Sequence, residues 1–322
     1  MLRLLTANPA GEIEEGHAVE EIDRLIGDPQ NLVWLDIDED ISPYLPLLER
    51  EFGFHPLALE DAHHPHQRPK VDDYESHAFI VLDALSADER EVGDRLSELA
   101  IFFGSNYLVT IHDGPLSAID AARERWQRNG ARSPTDAATL LHAIFDTVVD
   151  EYFPLVDEIA ERTEELEAQI FGKFDEGTGR AIFRVRKDLL ALRRVLGPMR
   201  EVANVLARRD FSPRTVGAIR YFDDVYDHVI QLTDAVDISR DLLNGALDSY
   251  LSMTSNHLNK VMKTLTGASI ILMSLALLAG IWGMNFQNMP ELRWGGGYLF
   301  ALLVMGGVGS ALYLLFRRND YL

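Results

Sequence analysis

Four aspartates recur at intervals of seven residues in a stretch that contains no proline from 214 to 289. Seven residues make nearly two turns of an α-helix, so these carboxylates are expected on one slowly drifting helix face. They are Asp227, Asp234, Asp241 and Asp248. The same register continues through Ser255, Met262, Ser269 and Ala276. A line of carboxylates that ends at an uncharged segment can attract hydrated cations, although a solvated helix face or salt bridges between helices would give the same spacing.

A second motif, Gly283-Met284-Asn285, lies between two uncharged segments. By itself the tripeptide is typical of a helix C-terminus, because glycine ends helices and asparagine tolerates the left-handed conformation. Without further context the motif therefore favours a helix cap over a functional site.

A third candidate, His63-His64-Pro65-His66, contains a residue type that binds transition metals. The proline breaks the i,i+4 spacing that would place two ligands on one helix face, so a surface loop is the favoured interpretation. The sequence has no arrangement of a nucleophile beside a base and no phosphate-binding loop. We therefore predict that the protein is not an enzyme.

Composition narrows the class of partner. The chain has 322 residues with 51 acidic and 30 basic side chains, giving a net charge of -21, which argues against a nucleic-acid partner. Cysteine is absent, so neither disulfides nor thiolate metal sites are expected. The N-terminal residues lack a long apolar core, and we expect no signal peptide.

Two uncharged segments predict a membrane domain. Residues 264–290 are 27 consecutive residues without a formal charge, and residues 294–316 are 23. A helix needs about 20 apolar residues to cross the hydrocarbon core of a bilayer. We expect a first span at about 264–282, an outer loop at 283–297 and a second span at about 298–316.

Flanking charges predict the orientation of these spans. Lys260 and Lys263 precede the first span, and Arg317 and Arg318 follow the second as part of a basic tail. Positive residues favour the cytoplasmic side. Both termini are therefore expected in the cytoplasm, for a multi-pass protein of the inner cell membrane.

The pattern of the whole chain predicts an α+β membrane protein in three parts. Residues 1–130 are expected to form a cytosolic α/β domain, residues 131–263 a cytosolic helical domain with a long stalk helix, and residues 264–322 the membrane domain. Strands are expected at 31–37, 77–85, 98–103 and 107–112. The last two are joined by Gly104-Ser105-Asn106, which predicts a hairpin.

Helix boundaries follow from capping residues and prolines. A helix is expected over Ser42–Phe52, capped by Ser42 and ended by Gly53. A longer one is expected over Thr135–Phe171, capped by Ser133 or Thr135 and kinked at Pro154. Two more are expected, over 178–209 with a kink at Gly197-Pro198 and, without interruption, over about 214–282.

The motif Gly283-Met284-Asn285, followed by Met289-Pro290-Glu291-Leu292, resembles the CorA family of magnesium and cobalt transport proteins. The resemblance extends to the sequence from Asn259 to Thr266, to Tyr221–His228 and to His66–Val71. It therefore covers most of the chain. It implies a homopentamer whose long helices form a funnel and line a central pore, with the second spans facing the lipid bilayer.

The resemblance also implies a substrate and a set of site residues. The substrate would be Mg²⁺, with Co²⁺ and Ni²⁺ as alternatives, moving passively through the pore, and intracellular Mg²⁺ bound between cytosolic domains would close it. The pore and selectivity residues implied are Gly283, Met284, Asn285, Asn259, Met262, Leu265 and Met273. Gln287 and Glu291 would lie in the outer loop, and Asp224 and Asp88 would bind the regulatory metal.

One segment departs from the family pattern. Many members have Met-Pro-x-Thr midway along the first span, where this chain has Met273-Ser274-Leu275-Ala276. The missing threonine removes a hydroxyl ring that would contact the hydrated ion, and Ser274 and Ser269 are the two candidate replacements. Two other functions stay open: a zinc or cobalt transporter of the same superfamily, and a membrane-anchored interaction scaffold whose spans only tether it.

Overall fold

The computed structural model describes residues 2–64, 67–86, 92–129, 136–171, 176–208, 218–286 and 289–319. The chain divides into two compact units. The first unit comprises Met1–Phe171 and Asp175–Gly245, and the second comprises Gly172–Phe174 and Ala246–Leu322. The boundary after Gly245 falls inside a helix, and the division into three functional domains remains a prediction.

The first unit contains a seven-stranded sheet with the strand order β2-β1-β3-β7-β6-β5-β4. The strands are β1 (Leu2–Ala7), β2 (Ile13–Glu15), β3 (Leu32–Asp38), β4 (Lys70–Asp73), β5 (Ala78–Leu85), β6 (Leu96–Phe103) and β7 (Tyr107–His112). Strands β3 and β7 are parallel, and the other neighbouring pairs are antiparallel. The four predicted strands are confirmed as β3, β5, β6 and β7, and the N-terminal part is the α/β domain expected.

The hairpin between β6 and β7 is confirmed and depends on Gly104. The Gly104 N–H donates to the Tyr107 carbonyl at 3.0 Å, which closes the turn. The Tyr107 ring, only 6% exposed, lies directly over Gly104. A Cβ at position 104 would overlap that ring, so the turn requires glycine.

Helices complete the first unit. They are α1 (Ile22–Ile26), α2 (Leu45–Leu47), α3 (Pro56–His63), α4 (Ser117–Asn129), α5 (Ala137–Asp150), α6 (Tyr152–Phe171), α7 (Glu176–Ala207) and the first part of α8 (Ile219–Trp282). Helix α8 packs through a regular apolar face, formed by Phe222, Val225, Val229, Leu232 and Val236, each at most 1% exposed. Their spacing of three and four residues is the helical period, and it leaves the aspartates of α8 on other faces.

The predicted helix over Ser42–Phe52 has a different start and internal geometry. It runs as a 3-10 turn over Ser42–Tyr44, a short α segment over Leu45–Leu47 and a π segment over Leu48–Phe52. The predicted cap at Ser42 is wrong: the N-cap position is Ile41, which makes no side-chain cap hydrogen bond, and Ser42 is the first residue of the turn. Asp40 Oδ1 accepts the Ser42 N–H at 3.0 Å and the Ser42 hydroxyl at 2.7 Å. The stop at Gly53 is confirmed by its left-handed φ of 64°.

The predicted kink at Pro154 is wrong. Helices α5 and α6 are separated at Glu151, and Pro154 lies in the first turn of α6. A proline is tolerated there because the first N–H groups of a helix have no partner within it. The N-cap of α5 is Asp136, whose Oδ1 accepts the Thr139 N–H at 2.6 Å, whereas Ser133 and Thr135 lie outside the described residues.

The second unit contains the rest of α8, from residue 246 to Trp282, and α9 (Gly297–Arg318). A 3-10 turn over Pro290–Arg293 lies between them in sequence. Both helices are long and apolar enough to cross a membrane, so two candidate C-terminal spans are present where the sequence predicts them.

Candidate functional site

The apolar surface of the second unit is unusually large. Many of its bulky side chains are more than half exposed, including Leu265 at 67%, Met273 at 71% and Leu303 at 68%. A contiguous apolar surface of this kind is not stable against water and requires lipid or further protein to cover it. This exposure agrees with membrane-spanning helices.

One side of α8 in this unit faces a groove shared with α9. The groove has a volume of about 960 Å³ and is lined by Ile271, Leu275, Ala276, Ala279, Leu302, Met305, Gly306, Gly309, Ser310, Tyr313 and Leu314. Gly309 of α9 faces Leu275 of α8, since a Cβ at position 309 would lie in ordinary contact with Leu275 Cδ2, at 3.6 Å. The apolar groove therefore defines which side of α8 faces α9.

The predicted pore residues lie elsewhere on α8. Asn259, Met262, Leu265 and Met273 are all exposed in the structure. None of these four residues is among the described residues that line the groove with α9. They are thus accessible for contact with other copies of the chain or with an ion pathway, and their role there remains a prediction.

The Gly283-Met284-Asn285 motif follows directly after α8. The Gly283 N–H donates to the Ala279 carbonyl at 3.0 Å and to the Gly280 carbonyl at 3.2 Å, so the last turn tightens before the chain leaves the helix. The φ of Gly283 is not in the left-handed region, so the need for glycine is one of space. A Cβ at Gly283 would lie 3.2 Å from the Ala279 carbonyl oxygen. Asn285 and Met284 are exposed beyond this turn.

The outer loop is described only in part. The backbone of Glu291 lies in the 3-10 turn Pro290–Arg293. Gln287 lies outside the described residues. The contribution of these two positions to cation attraction remains a prediction.

The aspartates spaced by seven residues on α8 are all exposed. Asp241 lies 3.1 Å from Arg240, its neighbour in sequence. Asp237, beside the same line, lies 3.6 Å from Arg193 of α7 and 3.2 Å from Arg240. Exposed ion pairs of this kind stabilise a fold by little. Both interpretations of the acidic positions therefore find support: salt bridges at the edge of the line and solvent-accessible carboxylates along it.

A cluster in the first unit could hold a metal ion. Asp146 and Asp150 of α5 and His228 of α8 place one ligand atom each within 4.8 Å of one another, the one such group among the residues that the structure describes. Asp146 is 7% exposed and bound by Arg125 Nη1 at 2.7 Å. His228 Nδ1 is buried without a hydrogen-bond partner within the described part of the chain.

Burial and the repulsion between carboxylates govern the electrostatics of this cluster. Burial and then the Asp146 carboxylate raise the pKa of Asp150, and Asp224 contributes to the same effect. Burial lowers the pKa of the adjacent His142. A cation among these groups would relieve the repulsion between the carboxylates. Of the predicted regulatory residues, Asp224 therefore lies beside a set of groups suited to a cation, whereas Asp88 lies outside the described residues.

Asp146, Asp150 and His228 are not among the predicted site residues. The sequence nevertheless contains a spacing pattern that indicates this cluster. Asp146 and Asp150 are spaced i,i+4 on a helix that is otherwise strongly apolar, and Asp224 and His228 have the same spacing on α8. Each pair presents two ligands on one helix face. A carboxylate on the buried side of an apolar helix, as at Asp146, is the feature that marks the first pair.

A separate cavity of about 520 Å³ opens at the sheet of the first unit. Its charged lining residues are Glu39, Asp40, His63, Asp83, Glu98, His112 and Asp113. Asp83 and Glu98 are direct cross-strand partners on β5 and β6, an arrangement in which like charges destabilise a sheet. Glu98 accepts the Gln67 N–H at 2.8 Å. Burial and the Glu98 charge together raise the pKa of Asp83 to about 7.

Asp83 is expected to make the stability of the protein pH-dependent. The pKa of about 7 in the folded state exceeds the value of about 3.9 for an unfolded chain, so the folded state binds the proton more tightly. The free energy of unfolding should therefore fall as pH rises from about 4 to about 7, and stay lower above it. Asp83→Asn removes this charge and should stabilise the protein at pH 8 by on the order of 2 kcal/mol, and much less at pH 5.

Thermal unfolding of the full chain in detergent at pH 5 and pH 8 would measure this effect. The matched control is Asp94→Asn, which removes an exposed carboxylate and should shift both curves little. Equal stabilisation of the Asp83→Asn variant at the two pH values would contradict the assignment.

Comparison with known proteins was consistent across sequence and structure. A family model described as CorA-like Mg²⁺ transporter protein matches residues 29–318. The chain is 37% identical over 273 residues to the cobalt/magnesium transport protein CorA of Thermotoga maritima, covering 84% of this chain and 78% of that protein. It is 35% identical over 288 residues to the putative metal ion transporter YfjQ of Bacillus subtilis, covering 89% of each.

The fold comparison agrees. The complete structure of the CorA magnesium transporter from Methanocaldococcus jannaschii superposes with a TM-score of 0.82 at 24% identity, covering 99% of this chain and 98% of that one. At that identity the similarity shows the fold alone. It supports the arrangement of an N-terminal α/β domain, a long helix and two C-terminal candidate spans.

Proposed function

The chain belongs to the CorA family of Mg²⁺ transporter proteins, and from this premise we propose that it carries Mg²⁺ passively across the membrane through a central pore. Co²⁺ and Ni²⁺ are further substrates in this proposal. The family is one of transporters rather than enzymes, in agreement with the sequence. The observation that carries the proposal is the exposed face of α8 with Asn259, Met262, Leu265 and Met273, which is followed by the exposed Asn285.

We infer an oligomer, because the exposed face of α8 has no partner in the described part of one chain and a pore needs several copies, and we take its size, a homopentamer, from the family resemblance. In this arrangement α8 from each copy lines the pore, and α9 lies outside it against lipid. The cytosolic domains form the funnel. The charges at Lys260, Lys263, Arg317 and Arg318 favour the cytoplasmic side for both termini, in the inner cell membrane.

Asn285 forms the outer mouth in this proposal. Mg²⁺ keeps several waters when proteins bind it, so a pore that removed its whole hydration shell would be slow. A ring of neutral amide oxygens can instead accept hydrogen bonds from the ion's water ligands, and it binds weakly enough to release the ion. Gly283 and Met284 place that ring at the end of α8.

Met262, Leu265 and Met273 form the closed gate. Large apolar side chains can close a narrow pore by excluding water from it. Their exposures of 64%, 67% and 71% leave them available to meet their counterparts in other copies. Asn259, one turn before the first of them, provides a polar ring at the cytoplasmic entrance.

Intracellular Mg²⁺ regulates the pore by binding at Asp224. In this proposal a cation bridges carboxylates of neighbouring cytosolic domains and holds the pore closed. The convergence of ligand atoms from Asp146, Asp150 and His228, and the repulsion between the two carboxylates, support a cation at this location. Asp88 stays a predicted second ligand.

One observation favours an alternative substrate. A histidine nitrogen beside two carboxylates suits Zn²⁺ or Co²⁺ better than Mg²⁺, so His228 keeps open a zinc or cobalt transporter of the same superfamily. The cluster lies in the first unit, however, and bears on regulation more directly than on permeation. A scaffold that is only tethered by its spans does not account for the polar Asn259 and Asn285 at the two ends of the apolar segment.

A flux assay with four ions tests the proposal. The purified protein in proteoliposomes should take up Mg²⁺ at a rate at least comparable to those of Co²⁺ and Ni²⁺, without a proton gradient or ATP. Empty vesicles provide the control. Uptake of Zn²⁺ that exceeds Mg²⁺ uptake, or that requires a proton gradient, would favour the alternative.

A further inference from the structure

The middle of the first candidate span contains very few polar side chains. From residue 267 to residue 281 only Ser269 and Ser274 carry one. Polar groups within a membrane span are costly unless they face the interior of a bundle or a water-filled cavity. The environment of these two hydroxyls therefore bears on where water and ions pass.

The structure distinguishes the two serines. They are five residues apart and so about 140° apart around α8. Ser269 is exposed, whereas Ser274 is half-buried. Ser274 lies about 180° around α8 from Leu265 and about 100° from Met273. It is therefore away from the face that these two side chains share.

Ser269 shares a face of α8 with the residues of the proposed gate. It follows Leu265 by four residues and precedes Met273 by four, so it lies about one turn from each. It also follows Met262 by seven residues, in the register of the four spaced aspartates. The exposed hydroxyl at Ser269 thus lies between two large apolar side chains on one face.

We propose that Ser269 is a specificity-determining residue of the pore, where a ring of its hydroxyls contacts the water shell of the passing ion between the Leu265 and Met273 rings. This inference rests on the proposed function and deepens it. A pore segment lined only by Leu265 and Met273 would exclude water and impose a high barrier on a hydrated ion. A hydroxyl both donates and accepts hydrogen bonds, so it can replace bulk water around the shell.

Loss of the Ser269 hydroxyl should reduce uptake most for the ions that keep their water ligands most firmly. Mg²⁺ dehydrates reluctantly, so its water ligands need hydrogen-bond partners along the whole pore. Co²⁺ has a greater affinity for nitrogen and oxygen ligands of proteins and depends less on an intact shell. Loss of the hydroxyl should therefore slow Mg²⁺ more than Co²⁺.

Ser269→Ala in the full chain, reconstituted in proteoliposomes, tests this inference. We expect Mg²⁺ uptake to fall about five-fold, the factor that corresponds to one net hydrogen bond, and the ratio of Mg²⁺ to Co²⁺ uptake to fall with it. Ser269→Thr keeps the hydroxyl and should retain most of the uptake. Ser274→Ala is the matched control, and its uptake and ion ratio should equal those of the unmodified protein.

The outcomes separate this inference from the proposed function. If the unmodified protein conducts Mg²⁺ and Ser269→Ala leaves both the rate and the ratio unchanged, the role of Ser269 is overturned and the pore stands. An equal loss in Ser274→Ala also overturns it. If the unmodified protein does not conduct Mg²⁺, both proposals fail. Size-exclusion chromatography of each variant shows whether a loss of uptake comes from a loss of assembly.

Discussion

Replacement of Asn285 by alanine is expected to reduce Mg²⁺ uptake to the background of empty vesicles while the protein still assembles. The alanine side chain cannot accept a hydrogen bond, so the water ligands of an arriving ion would find no partner at the pore mouth. Mg²⁺ would then have to lose water without compensation, and it does so reluctantly. The loss should exceed that caused by Ser269→Ala, which leaves the pore mouth intact.

The structure explains why assembly should survive this change. Asn285 is exposed beyond the end of α8, and the last turn of the helix is closed by the Gly283 and Met284 N–H groups rather than by the Asn285 side chain. Uptake is measured with a Mg²⁺-sensitive dye inside the vesicles, and the oligomer by size-exclusion chromatography.

Asn319→Ala provides the matched control. The Asn319 Nδ2 group donates to the Leu315 carbonyl at 3.0 Å at the C-terminal end of α9, so the same group is removed outside the proposed pathway. Its uptake should stay close to that of the unmodified protein. Normal Mg²⁺ uptake by Asn285→Ala would refute the assignment of the pore mouth.

The parts of the fold that local pattern controls were predictable. Alternating and continuous apolar segments located β3, β5, β6 and β7, and Gly104 marked the turn of the hairpin. The two candidate spans followed from length and absence of charge alone, because the bilayer sets both requirements. These features depend on neighbours in sequence or on the solvent.

The errors arose where one residue could serve two roles. Pro154 can kink a helix or begin one, and the choice depends on whether α5 ends at Glu151, which packing decides. Ser42 can cap a helix or stand inside its first turn, and only the structure shows that it is inside the turn, with its N–H and hydroxyl donating to Asp40. At Gly283 the predicted end of α8 does occur, without a left-handed φ, and a Cβ there would lie 3.2 Å from the Ala279 carbonyl oxygen.

The sequence predicts the two residue pairs of the candidate cation cluster separately, but not the cluster itself. Each of its two i,i+4 pairs can be read from the sequence, but their meeting depends on how α5 and α8 pack in the first unit. Asp224 was recognised through its resemblance to a family segment, whereas Asp146, Asp150 and His228 emerged from the geometry. The proposed pore residues belong to a different case, since in the proposed assembly the contacts that would define them lie between copies of the chain.

Replacement of Asp224 by alanine is expected to weaken the closure of the pore by internal Mg²⁺. Asp224 is exposed, one turn before His228 on α8, and its charge contributes to the raised pKa of Asp150. A cation bound there would neutralise carboxylates that otherwise repel one another across neighbouring domains. Without one ligand, we expect the internal Mg²⁺ concentration that gives half-maximal closure to rise about ten-fold, corresponding to roughly 1.4 kcal/mol of binding free energy.

The control for this prediction is Asp223→Ala, which removes the same charge one residue earlier. Asp223 is also exposed, but its side chain leaves α8 about 100° away from that of Asp224. If charge alone governed closure, both variants would shift the Mg²⁺ dependence equally. A shift confined to Asp224→Ala, measured as flux against a series of internal Mg²⁺ concentrations, would support a bound cation. An unchanged dependence in that variant would place the regulatory site elsewhere, even if Asn285 proves essential for uptake.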